Sequence, residues 1–146
     1  MDNLTQREKK LYKIFQFSKR YPAYGAEKLL NQELPLYQKD MIHRGWHNKF
    51  PAYLCSRRTG KSYSIATLLS LKALLYPEMK IGLVAPVYRQ SKNVFKQIEE
   101  VMKKSPFFQS RIAKEPRHSS SEWALEFKNG SIIIAAPLSD NIRSYG

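Results

Sequence analysis

The chain has 146 residues and is 42% hydrophobic, enough for one core and one ordinary domain. Its 25 Lys and Arg against 12 Asp and Glu leave a formal net charge of +13, which favours a polyanionic partner, either nucleic acid or an acidic protein surface. The lone Cys55 excludes an intrachain disulfide and suits a reducing compartment, the amino terminus lacks the apolar run of a signal peptide, and no apolar stretch approaches the roughly 20 residues of a membrane span.

Thr5-Gln6-Arg7-Glu8 has the form of a capping box, so a helix is expected from there. Leu11, Ile14, Phe15 and Ser18 follow at helical spacing, and Tyr21-Pro22 ends the run. A short helix is expected over Ala26 to Asn31. The segment Leu34 to Asp40 reads as a loop entering a helix that runs toward Trp46. Pro51-Ala-Tyr-Leu-Cys55 is a short apolar run, expected to be a buried strand. A polar turn from Ser56 to Gly60 leads into a long Leu-rich helix from Lys61 to about Tyr76, closed by Pro77.

Lys80 to Ala85 reads as a second buried strand stopped by Pro86, and Val94, Phe95, Ile98, Val101 and Met102 share one helical face. Trp123 to Phe127 and Ser131 to Ala136 are strand-like runs flanking Asn129-Gly130, a hairpin signal. Strand, helix, strand, helix and more strand argue for an α/β layer architecture with a parallel core, to which the hairpin is a local addition. Residues 1–33 form an N-terminal helical segment and residues 34–146 the α/β unit.

The chemistry concentrates in Cys55-Ser56-Arg57-Arg58-Thr59-Gly60-Lys61-Ser62. The P-loop pattern is G-x-x-x-x-G-K-S/T, and here Cys55 occupies the first Gly position while the rest fits. Backbone N–H groups at such a turn face phosphates, and Gly60 allows the backbone to approach them closely. Lys61 offers a point charge to the β- and γ-phosphates, and Ser62 an oxygen to Mg²⁺. The triplet Gly-Lys-Ser/Thr arises by chance in roughly one chain in ten of this length, so the strand before it and the helix after it carry the weight. The competing reading is an ordinary polar turn into a helix.

Ser56 to Ser62 resembles the Walker A segment of large terminase subunits, the ATPases that pump DNA into capsids in tailed bacteriophages and herpesviruses. Those proteins commonly replace the first Gly and carry an early Arg, which Arg57 matches. The resemblance implies that Ser56, Arg57, Arg58, Thr59, Gly60, Lys61 and Ser62 hold ATP, that Lys61 and Arg57 act on its phosphates, and that Ser62 serves Mg²⁺. Gln38 stands where the family has a glutamine that contacts adenine. Leu83 to Gln90 resembles the segment after the second strand in terminases and superfamily 2 helicases, and Lys92 and Lys96 on the next helix could face DNA phosphates. Asn141-Ile142-Arg143-Ser144 resembles the family's Ile-Arg-Gly, with Ser144 in place of Gly, and Arg143 inherits the reading of a trans-acting arginine finger.

The likeness spans Leu34 to Gly146. It implies an incomplete P-loop NTPase sheet of the ASCE, RecA-like branch with flanking helices, ending before the Walker B acidic pair and the nuclease domain. With it come double-stranded DNA, the portal protein and the small terminase subunit as partners, a homo-oligomeric ring, no membrane, and the cytoplasm of the infected host cell. Because no apolar strand ending in Asp-Glu follows the loop, these residues alone are not expected to hydrolyse ATP at a motor-like rate. Two alternatives stand beside this: a superfamily 2 helicase-like ATPase, and a small basic nucleic-acid-binding protein. His43, His47 and His118 are too scattered for a metal site.

Overall fold

The computed structural model describes residues 5–138. Arg143, Asp140 and the Asn141–Gly146 segment therefore lie outside the described residues. The chain begins with three helices, α1 (Gln6–Arg20), α2 (Pro22–Leu29) and α3 (Leu36–His47), and continues into α4 (Lys61–Leu75). Strand β1 (Lys80–Leu83), helices α5 (Tyr88–Lys104) and α6 (Pro106–Ser110), and strands β2 (Arg117–His118), β3 (Trp123–Glu126) and β4 (Ile132–Ala135) follow.

The capping box forms as expected. Glu8 N donates to Thr5 Oγ1, and Thr5 N donates to the Glu8 carboxylate at 2.7 Å. Helix α2 starts at Pro22 rather than Ala26, because proline at the first helical position lacks only an N–H that the helix would not use. Helix α3 starts at Leu36, directly after Pro35, so Gln38 sits in its first turn rather than in a loop.

The sheet has four strands in the order β1-β4-β3-β2. Only β1 and β4 run parallel, and the other pairs are antiparallel. The expected parallel core is thus a mixed sheet, and the hairpin β3–β4 is its centre rather than an addition. The Asn129-Gly130 signal yields a three-residue loop: Phe127 N donates to Ser131 O at 2.9 Å, with Gly130 at φ 85°.

The expected buried strand over Pro51 to Cys55 does not form. The segment joins no ladder, and Leu54 is fully exposed. A strand needs a neighbour for its N–H and C=O groups, and among the described residues none is offered. What holds the segment is Tyr53, whose hydroxyl donates to Met41 O on α3 at 2.8 Å and packs against Gly45. Strand β1 is likewise only partly buried, since β4 is its one partner among the described residues.

The main core joins α2, α4, α5 and α6 to one face of the sheet, and a smaller cluster of Ala26, Leu34, Ile42 and Leu68 seats α3. Leu71 of α4, Phe95, Ile98 and Val101 of α5, Phe108 of α6, and Leu125 and Ile133 of the hairpin are fully buried together. Each such side chain contributes about 1.5–3 kcal/mol by leaving water. Leu29 and Leu30 from the N-terminal segment belong to the same cluster. On the other face of the sheet Ile132 and Ile134 are half-buried, and a side chain at Gly82 would meet nothing within 4 Å. No helix among the described residues is long and apolar enough to cross a membrane.

Candidate nucleotide-binding loop

The turn from Ser56 to Gly60 delivers the chain into α4. Thr59 Oγ1 donates to Ser56 O at 3.0 Å and tightens the turn from within. Two residues take positive φ, Arg58 at 66° and Gly60 at 71°. Glycine adopts this left-handed conformation freely, whereas an arginine there is strained. Gly60 is also the residue that opens α4, with no side chain to cap the helix.

The first intrahelical bond of α4 runs from Ser64 N to Gly60 O at 2.9 Å, reinforced by Ser64 Oγ at 3.1 Å. The backbone N–H groups of Lys61, Ser62 and Tyr63, at the start of α4, find no partner among the described residues, whereas Arg57 and Arg58 lie in a hydrogen-bonded turn. Those N–H groups carry the positive end of the helix dipole and stand at an anion-accepting position. Arg57, Arg58 and Lys61 pair with no carboxylate among the described residues. Ser56 through Tyr63, joined by Gln97 of α5, line one open concavity of about 380 Å³.

Gln38 is brought to this loop from α3, but in a different posture from the one the sequence suggests. It is 7% exposed, and its Nε2 donates a long 3.5 Å bond to Gly60 O. A methyl group at Gly60 would collide with that same nitrogen. Gly60 is therefore required twice, by its backbone angle and by the Gln38 amide against it. Tyr37, half exposed beside Gln38, reaches the same neighbourhood with its hydroxyl. Trp46 turns away, its indole N–H donating to Lys19 O at 2.8 Å.

Lys92 and Lys96 do not join the loop. Lys92 Nζ lies over the rings of Tyr88 and Trp123, at 4.2 and 5.1 Å from the centroids, and Lys96 lies over Trp123 at 5.8 Å. Tyr88 is raised above the ordinary value of 10.0 by burial and then by the negative charge of Glu122. Gln97 was invisible to motif reading, because it falls beside the apolar face of α5 and belongs to no recognised pattern.

The donor set suits a polyphosphate better than a metal. Free amides, a glycine cradle and three unpaired cations fit ATP phosphates. For Mg²⁺ the loop offers hydroxyls, the exposed Ser62 among them, and no carboxylate lines the concavity. The nearby acidic candidates are engaged elsewhere: Asp40 with Arg44 at 2.7 Å, Glu99 with His118 at 2.8 Å, and Glu122 with Arg117. No cluster of three His, Cys, Asp or Glu able to hold a metal occurs among the described residues. In comparisons with known proteins no family model matches the chain, and no curated protein matches it.

Proposed function

We propose that this chain carries the P-loop of an ATPase of the DNA-packaging kind, binding ATP on the loop from Arg57 to Ser62 and acting on double-stranded DNA. The observation that carries this is the turn into α4. Free amides, a left-handed Gly60 and three cations without counterions line one concavity. Lys61, at the first position of α4, is set to meet the terminal phosphates as a point charge. Arg57 adds a fork of donors suited to phosphate oxygens.

Mg²⁺, when bound with ATP, supplies charge that offsets the phosphates, and Ser62 is the residue here that would hold it. The carboxylates that complete such a metal site and orient water come, on this proposal, from outside the described residues, as does the trans-acting role of Arg143. Gln38 lies against Gly60, and with Tyr37 beside it would offer an amide and a ring to an adenine.

One finding favours a competing function. The segment 51–55 makes no strand, and the strand was half of the context a P-loop requires. A small basic nucleic-acid-binding protein, with a chance turn of this form, would bind DNA through its net charge and would bind no nucleotide.

Titration of a fluorescent ATP analogue with Mg²⁺ into the wild-type chain and into Lys61→Ala separates the two. ATP binding weakened about tenfold or more in the variant is expected, since a hydrogen bond to a charged group is lost. Equal affinity in both proteins overturns the loop assignment, and no binding in either favours the competing function.

A further inference from the structure

A second group of cations stands at the far end of α4, about 20 Å along the helix from Lys61. Phe15 of α1, Leu74 of α4, Arg111, Lys128 and Asn129 line a concavity of about 190 Å³. It shares no residue with the loop concavity.

Arg111 caps the end of α6 and is held by rings rather than by acids. Its guanidinium lies over Phe107 at 4.9 Å from the centroid, and Phe107 meets Phe15 edge-on at 6.1 Å. Its Nε is buried without a hydrogen-bond partner, and no carboxylate among the described residues pairs with it. The Nε is closed off from the concavity, so a ligand there meets the terminal N–H groups of the guanidinium. Lys128 Nζ donates to Ser110 O at 2.8 Å, which uses one of its three protons.

Neighbouring groups are already committed. Asn129 Nδ2 donates to Ala73 O and Leu74 O, and its Oδ1 accepts from Ser131 N, so Asn129 is a wall and not a ligand. Glu126 pairs with Lys114 at 3.3 Å, and Glu78 packs along Gly130.

The geometry points to a binding site for a carboxylate carried on an apolar segment of a partner protein, an Asp or Glu flanked by Leu- or Phe-like side chains. A guanidinium fork matches a carboxylate in plane and spacing, and Lys128 adds a second positive charge. Phe15 and Leu74 provide apolar surface for the flanking residue. A cavity of this size admits a side chain, whereas a DNA strand would demand cations repeated along an open groove. The net charge of +13 draws an acidic partner from a distance.

The test is chemical-shift mapping on the isotopically labelled chain, titrated with acetyl-Leu-Glu-Leu-amide, with its Gln counterpart, with inorganic phosphate and with a short DNA duplex. The Glu peptide is expected to shift Arg111 Nε–H and the amides of Arg111 and Lys128 saturably, and the Gln peptide to bind about tenfold more weakly. Arg111→Lys, which keeps the charge and loses the fork, should weaken the Glu peptide about tenfold, and Lys128→Met, on the exposed turn, several-fold. Equal binding of the two peptides, undiminished binding to Arg111→Lys, absence of shifts at Arg111, or tighter binding of phosphate or DNA at the same residues would each overturn the proposal.

Discussion

Helix α4 begins and ends beside a turn with a left-handed glycine, and the two turns differ in what becomes of their polar groups. At the far end, Asn129 and Ser131 of the hairpin turn are committed to the fold. Asn129 binds the carbonyls of Ala73 and Leu74, Ser131 Oγ donates to Tyr76 O at 2.8 Å, and Glu78 N donates to Asn129 O at 3.1 Å. At the near end, the Ser56–Gly60 turn has one internal side-chain bond, and its other bonds, from Ser64 and at length from Gln38, fall on the single carbonyl of Gly60. Asn-Gly and Gly-Lys-Ser are both turn signals in sequence. One turn spends its donors on holding the hairpin to α4, and the other leaves them facing solvent. Unspent donors at an ordered turn are what a ligand can use.

The sharpest way to break this contrast is Asn129→Ala. Three part-buried bonds disappear, with an expected cost of about 2–3 kcal/mol read as a lowered midpoint in urea unfolding. A cost near zero would mean that the far turn is no better anchored than the near one. Gly60→Ala comes next, at about 1–2 kcal/mol, from a left-handed backbone and the displaced Gln38 amide. Adding Gln38→Ala should return part of that loss, and strict additivity would show that the two residues do not press on each other.

Lys61→Ala should leave stability within about 0.5 kcal/mol of wild type, because the side chain has no described partner to lose. A large destabilisation would make Lys61 a structural residue and remove the contrast. The smallest effect is at the first turn of α1. Glu8 is lowered from its ordinary value of 4.5 by the Thr5 hydroxyl and then by the Thr5 N–H. The carboxylate is favoured in the folded chain, so the cap is intact above 4.5 and is lost as pH falls through the lowered value. Protection of the Glu8 amide relative to its intrinsic exchange rate should fall there; unchanged protection would show that the box does not hold the turn.

Features fixed by local chemistry were legible. The capping box, the apolar stripe of α5 and the turn-to-helix junction at Gly60 each depend on residues within one or two turns. Pairing was not legible, because it depends on distant partners. Pro51 to Cys55 has the apolar character of a strand, yet it finds no edge to join. Ile132 to Ala135 has the same character and finds two. Gln38 was singled out from its place before the loop, but its burial followed from where α3 starts, which Pro35 sets. Arg111 matched no motif, although the ring it lies over, Phe107, is only four residues earlier; the Phe15 that meets Phe107 comes from distant α1.

Nine of the fifteen residues of α4 are buried, and the less buried Lys61, Ser62, Ile65, Leu69 and Lys72 share the remaining side. A helix of that length, packed into the interior along most of its circumference, has little room to bend or shorten. Mechanically it is a pushrod about 22 Å long, with the loop at one tip and the hairpin clamped to the carbonyls of the other. Any force that moves Lys61 along the axis must be taken up by Asn129, or the clamp must slip.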